Sequence, residues 1–299
     1  MRCILSHHCR ACSPVLPSSL QVSVVTYQPD LPLLERTLDT LGIAIEAAQD
    51  ARALKTVHVA LIDNSGDRGI AERVIDVGRT RFADKAVHVM FLHGHANIGY
   101  GAAHNLVLHG TGADYHLVLN PDAELAADAL VNGIRWLDAH PAVGALAPAV
   151  ADATGKRQYL CKRYPAVLDL ALRGFAPRAV RRLFERRLAR YEMRDIVDVD
   201  PPRDAIGVPL MSGAFVLARR DAIDRTGGFD PRFFLYFEDF DWSVRLNAVA
   251  RNAYVPSVNI IHHGGGAAGK GLRHVKVHTK EDVDKKEFKR LIRDAAKLG

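Results

Sequence analysis

The sequence predicts a mixed α/β protein built around a mostly parallel central sheet. Short β-branched, apolar segments alternate with segments of helical spacing through residues 21–119. Turns rich in Gly, Pro, Asp and Asn separate them. Polar residues stand directly after the apolar strands, at the carboxyl edge where open α/β sheets bind their ligands.

Residues 21–27 (QVSVVTY) read as the first strand, punctuated by Pro29 and Pro32. Leu34, Leu38, Leu41, Ile45 and Ala48 recur at helical spacing across residues 33–55. Residues 57–62 (VHVALI) form a second strand that ends in Asp63-Asn64-Ser65-Gly66, a turn sequence. Residues 87–92 (VHVMFL) form a third, 101–110 a helix, and 115–119 (YHLVL) a fourth strand. After Pro148 the alternation breaks. Residues 208–218 (VPLMSGAFVLA) read as a strand pair or one buried strand. Residues 220–226 are a short helix closed by Gly227-Gly228, 239–250 a helix, and 254–262 a last strand. The expected organisation is a leader (1–20), a nucleotide-binding half (21–150), an acceptor half (151–269) and a charged tail (270–299).

The chain has 299 residues, 48% of them hydrophobic and 25% charged, which excludes a disordered chain. Its formal charge of +6 is uneven. Residues 173–194 hold eight arginines against two glutamates, and residues 270–299 carry a net +5, so the rest of the chain is slightly acidic. No run of 18 apolar residues predicts a transmembrane helix. Cys3, Cys9 and Cys12 lie near His7 and His8 but lack a second ligand pair, so a leader is favoured over a zinc module. Only Cys161 lies elsewhere. No disulfide framework is implied, and a reducing cytoplasm is the expected compartment.

Five stretches can carry chemistry. In Asn120-Pro121-Asp122, an acid at the sheet's carboxyl edge suits a hard divalent cation beside a diphosphate, and equally an N-cap. Asp63 can accept hydrogen bonds from a base or ribose, or close its own turn. Asn97-Ile98-Gly99-Tyr100-Gly101, followed by Asn105, lets backbone approach a sugar or phosphate, although it is neither GxGxxG nor a P-loop. Glu238, Asp239 and Asp241 crowd three carboxylates among Phe234, Tyr236, Phe237 and Trp242. Lost hydration there raises a carboxylate pKa and prepares a base, while acids at a helix start also compensate the dipole. His262-His263, at a strand end, suits a Mn²⁺-like ion or a phosphate.

The order of these stretches, from Thr26-Tyr27 through I-D-N-S, N-I-G-Y-G-A-A-H-N, L-N-P-D, M-S-G-A-F and F-E-D-F-D-W to H-H-G-G-G, resembles family 2 glycosyltransferases. It is most similar to the bacterial branch using dTDP-L-rhamnose, over residues 21–273. The resemblance implies a GT-A fold and inverting transfer of a sugar from a nucleotide-diphospho-sugar to a saccharide or lipid-linked acceptor in surface polysaccharide synthesis. It places Thr26, Tyr27, Asp63, Asn97, Gly99 and Asn105 at the donor. Asp122 with His262 or His263 would hold Mg²⁺ or Mn²⁺. Asp239 would be the catalytic base, with Glu238 supporting it or the acceptor. Asn-Pro-Asp departs from the two-carboxylate DxD pattern, so a catalytically inactive sugar-nucleotide-binding module is the alternative.

Val180, Phe184, Leu188 and Tyr191 form one apolar stripe, so residues 173–194 read as a basic amphipathic helix. Such a helix either docks on an anionic membrane, as a peripheral protein on the inner face of the cytoplasmic membrane, or packs on the body. Nucleic-acid binding is disfavoured. The arginines lack interleaved stacking platforms, and the acidic aromatic cluster repels phosphate.

Overall fold

The computed structural model describes residues 18–110 and 112–264, with only the backbone of 173–175. The Cys and His residues of the leader and the 270–299 tail lie outside the described residues.

The first half is a regular alternation: β1 (Ser18–Thr26), α1 (Leu31–Asp50), β2 (Leu54–Asp63), α2 (Arg68–Arg81), β3 (His88–Leu92), α3 (Tyr100–Leu108) and β4 (Tyr115–Leu119). Asp30 caps α1 by accepting from Leu33 N–H, with proline in the first turn. The helix stops at Asp50, short of the expected Lys55, because Arg52 turns left-handed at φ 54° and releases the chain into β2. The sequence reading passes over α2. Its signal is Asp67, which caps by accepting from Ile70 N–H, followed by an apolar line through Ile70, Val74 and Val77.

The second half continues with β5 (Ala123–Leu125), α4 (Ala129–Ala139), β6 (Val143–Ala151), β7 (Arg157–Gln158) and β8 (Cys161–Lys162). Four short helices follow: α5 (Val167–Phe175), α6 (Arg178–Leu183), α7 (Glu185–Tyr191) and α8 (Arg194–Val197). Then come β9 (Ala205–Ile206), β10 (Leu210–Met211), β11 (Phe215–Arg219), α9 (Arg220–Thr226), α10 (Glu238–Val249) and β12 (Arg251–His262).

One ten-stranded sheet runs in the order β3-β2-β1-β4-β11-β6-β12-β5, with β7 on β6 and β9 on β12. The pairs β3-β2, β2-β1, β1-β4 and β6-β12 are parallel, as expected, and β11 enters antiparallel between β4 and β6. Strand β6 was hidden by Pro148. The proline is accommodated where β12, carrying Pro256, slips register between Val255 and Asn259.

Apolar packing covers both faces of the sheet. Leu34, Leu38 and Leu41 of α1 join Ile134 and Leu137 of α4 in one core cluster, while Ile223 of α9 and Trp242 and Leu246 of α10 join Phe229 in another. Within the core, Ser23 Oγ bridges His104 and His116 at 2.7 and 2.8 Å. Burial holds His104 down to about 3, so it stays neutral at pH 7.

The basic helix expected over 173–194 is broken three times. Pro177 separates α5 from α6, Phe184 (φ −106°) separates α6 from α7, and left-handed Met193 precedes α8. Its apolar stripe divides accordingly. Leu188 and Tyr191 pack into the body, while Val180 and Phe184 are exposed beside Leu183, which is 83% exposed.

Candidate functional site

The carboxyl ends of β1, β2 and β4 form one edge. Thr26 ends β1 buried, Asp63 ends β2 buried, and Asn120 follows β4, while Tyr27 stands exposed next to Thr26. The Asp63 carboxylate accepts from Ser65 N–H and Ser65 Oγ–H, so it closes its own turn. Asn64, one of the polar residues expected at the ligand-binding edge after the second strand, ties the edge together. Its amide donates to Asn97 Oδ1 at 2.8 Å and its Oδ1 accepts from Ile98 N–H at 3.1 Å. The only sequence signal for this was the side chain's capacity to donate and accept at once.

Gly99 and Asn105 both shape the chain ahead of α10. Gly99 has φ 91°, and a Cβ on it would lie 2.5 Å from the carbonyl oxygen of Phe234. This glycine therefore admits the 234–237 loop, whose Phe234 carbonyl accepts from Tyr100 N–H. Asn105 donates to Phe229 O and accepts from Phe229 N–H, so its amide clamps the chain ahead of that loop.

Topology sets the second cluster. Antiparallel pairing of β12 with β5 places His262 opposite Ala123, and His263 N–H donates to the Asp122 carbonyl. The two histidines then part. His263 Nε2 meets Glu124 at 2.5 Å, while His262 Nε2 stands 3.3 Å from Asp122 Oδ1 and 3.3 Å from Asn120 Nδ2. Gln158 orients the His262 ring. Its Nε2 donates to the His262 carbonyl, which turns Oε1 toward His262 Nδ1 at 3.1 Å. With Gln158 Oε1 at Nδ1, the ring turns Nε2 toward the Asp122 carboxylate, so nitrogen and oxygen face a common point. One carboxylate and one imidazole fit a Mn²⁺ or Mg²⁺ ion that takes its remaining ligands from phosphates and water. Among the described residues no group of three or more His, Cys, Asp or Glu side chains forms a complete protein-only metal site.

The third cluster begins α10. Tyr236 and Phe237 both take left-handed φ values, 70° and 68°, and turn the chain into the helix. Phe234 to Phe237 are exposed, whereas Phe229 and Trp242 are buried in contact at 4.5 Å. The aromatic run is thus half core and half rim. Glu238 is buried, and its Oε2 has no hydrogen-bond partner among the described residues. Asp239 is partly exposed, accepting from Gly213 N–H at 3.0 Å and Phe240 N–H at 2.9 Å. Burial raises the Asp239 pKa, and those two N–H groups oppose the rise. Burial, and then the charge of Asp239, push Glu238 up to about 7. Asp241 is paired with Arg245 at 2.6 Å.

Glu238 makes stability depend on pH. Its folded pKa lies above its ordinary value of 4.5, so the stability it contributes is full below pH 4.5 and is lost as pH rises through about 7. Glu238→Gln removes that loss. Between pH 5 and pH 8 the wild type should lose on the order of 2–3 kcal/mol relative to the variant. Parallel thermal melts at the two pH values read this directly, and parallel pH responses would refute it.

Gly213 connects the clusters. Residues 208–218 form two strands hinged at this glycine: β10 pairs with β8, and β11 enters the main sheet. Tyr100 Oη lies 2.8 Å from the Gly213 carbonyl and 3.0 Å from Asn120 Oδ1. The Asp122–His262 edge and the Glu238–Asp239 pair therefore belong to one hydrogen-bonded site.

No family model matches the chain. It is 30% identical over 282 residues to the N-acetylglucosaminyl-diphospho-decaprenol L-rhamnosyltransferase of Mycobacterium tuberculosis (strain ATCC 25618 / H37Rv), covering 87% of this chain and 81% of that one. It is 28% identical over 156 residues to rhamnosyltransferase WbbL of Escherichia coli (strain K12), covering 50% and 52% of the two chains. Among solved structures, it superposes with TM-score 0.56 at 20% identity on the mannosyltransferase PcManGT from Pyrobaculum calidifontis in complex with GDP-Man and Mn²⁺, over 86% of this chain and 61% of that one. With GalNAc-T7 bound to UDP, GalNAc and Mn²⁺ the TM-score is 0.55 at 13% identity, over 82% and 43%. The chain spans less than two thirds of either solved chain, and at these identities the likeness shows the fold alone, which is GT-A.

Proposed function

Because the chain belongs to the rhamnosyltransferase family of glycosyltransferases, we propose that it moves L-rhamnose from dTDP-L-rhamnose onto a lipid-linked sugar, as an inverting family 2 enzyme of surface polysaccharide synthesis. One observation carries this reading. A metal-suited acid–imidazole edge and a desolvated carboxylate pair share one site, joined through Tyr100 and Gly213.

Asp239 takes the proton of the acceptor hydroxyl as that oxygen attacks the anomeric carbon from the face opposite the leaving diphosphate. Its two N–H contacts fix the carboxylate while burial keeps it basic. Glu238 supports the base from the buried side. Asp122 and His262 hold a divalent cation, which when bound offsets charge on the departing diphosphate. Tyr27, Asp63 and Asn97 line the donor edge, with Asn64 holding the Asn97 loop in place. A lipid-linked acceptor such as a diphospho-polyprenyl N-acetylglucosamine follows from the name of the M. tuberculosis relative. Nucleotide release is the deciding assay, run with dTDP-L-rhamnose, UDP-sugars and GDP-sugars against such an acceptor. Release only with dTDP-L-rhamnose and acceptor supports the reading. Release from another donor refutes the donor, and release from none supports the inactive binding module.

Membrane docking accompanies this activity in our reading. Among the described residues no helix is long and apolar enough to cross a membrane. The exposed Val180, Leu183 and Phe184 lie among the exposed Arg178, Arg181, Arg182 and Arg186. A cavity of about 320 Å³ beside them is lined by Arg178, Arg181 and Arg182 together with Leu188, Glu185, Glu192 and Arg194, the last already paired with both glutamates. That surface suits anionic headgroups, each basic residue contributing about 1 kcal/mol near the membrane. Leu183→Glu with Arg181→Glu should abolish pelleting with phosphatidylglycerol vesicles. Equal pelleting of the parent protein with neutral and anionic vesicles would refute docking by this surface.

A further inference from the structure

We infer that Tyr100 is a positioning residue of the transfer reaction, its hydroxyl locking the base-bearing turn to the donor edge. The inference rests on the base assignment proposed above for Asp239.

Tyr100 begins α3 and is held by its backbone, its N–H donating to the Phe234 carbonyl of the loop that leads into α10. Its ring leans edge-on against His104 at 4.5 Å, so the hydroxyl is delivered to a fixed point. There it meets two acceptors from different parts of the chain: Asn120 Oδ1, two residues before Asp122, and Gly213 O, at the hinge between β10 and β11. Gly213 is held from its other side too, because its N–H donates to Asp239 Oδ2. A shift of Gly213 relative to the donor edge therefore carries Asp239 with it. Space enforces the contact: a Cβ on Gly213 would lie 3.2 Å from Tyr100 Cε1, 3.3 Å from Tyr100 Oη and 3.6 Å from Asp239 Cβ.

The chemistry of the hydroxyl suits a lock. Burial and the charges of Glu238, Asp239 and Asp122 hold the phenol far above its ordinary pKa, so it remains a donor throughout the working range. The Asn120 amide lies between that hydroxyl and the His262 ring, its Oδ1 3.0 Å from Tyr100 Oη and its Nδ2 3.3 Å from His262 Nε2. In-line displacement needs the base and the donor edge in register, and a misplacement of about 1 Å can cost about 10²-fold in rate.

Tyr100→Phe removes only the hydroxyl and keeps the ring, so the fold is not at risk. The expected result is a fall in kcat of about 10- to 100-fold, with the donor KM, the dTDP Kd in Mn²⁺ and the melting temperature of the full chain little changed. A hydroxyl that serves only packing or stability would move the melting temperature and leave kcat alone. In the Asp239→Asn background, Tyr100→Phe should add little further loss, because it acts through Asp239. If Asp239→Asn is crippled while Tyr100→Phe keeps a normal kcat, or if the two losses multiply fully, the positioning role is overturned alone. If Asp239→Asn turns over normally, the base assignment falls and the role of Tyr100 falls with it.

Discussion

Asp239→Asn should lower kcat by about 10²–10⁴-fold, the usual contribution of a positioned general base, with donor binding preserved. Asp239 accepts from Gly213 N–H through Oδ2 and from Phe240 N–H through Oδ1, so asparagine, with one oxygen, keeps one of these two contacts. The main loss is the ability to take a proton, and a thermal melt of the variant reads the lost contact separately. Glu238→Gln leaves Asp239 in place and should cost less, which separates the two acids. The buried Glu238 has an oxygen without a partner and is pushed up to about 7, so it spends part of its time protonated at neutral pH. If Glu238→Gln is the more damaging change, the roles are exchanged and the base lies on the buried side. Single-turnover transfer from saturating donor reads the chemical step without product release.

Asp122→Ala should lower Mn²⁺ affinity, measured by electron paramagnetic resonance of the free ion with dTDP present, by more than about 100-fold. Losing an orienting partner typically costs about 10- to 100-fold, and that is the range expected of Gln158→Leu. His262→Ala should resemble Asp122→Ala, whereas His263→Ala should leave affinity within about threefold, because its Nε2 is already engaged by Glu124. Equal losses from His262→Ala and His263→Ala would refute the division between the two histidines. Readout by ion binding keeps this test independent of transfer activity.

The strands that carry the donor edge were legible because each is a short apolar run ended by polar turn residues. That pattern is local and survives any packing. The carboxylate cluster at 238–241 was legible for the same reason, being contiguous in sequence. Among the elements the sequence reading did not give or misjudged, three show why. β6 was obscured by Pro148, which only a slipped register in β12 accommodates. α2 was obscured by its weak apolar line. The division of residues 173–194 depended on Pro177 and on two backbone turns that an apolar stripe does not reveal.

For this protein the sequence by itself determined the alternation of strands and helices, the edge that holds Thr26, Asp63 and Asn120, and the motif order that points to the glycosyltransferases. These are properties of residue type and of spacing along the chain. Tertiary structure alone decided which histidine meets Asp122, because strand pairing and the Gln158 amide orient His262 and leave His263 to Glu124. It also decided that Asn105 clamps backbone, that Gly99 admits the acidic loop, and that Tyr100 reaches Asn120 and Gly213 together. The physical reason is the same each time. Hydrogen-bond partners 20 to 142 residues apart are set by register and packing, which no local pattern encodes.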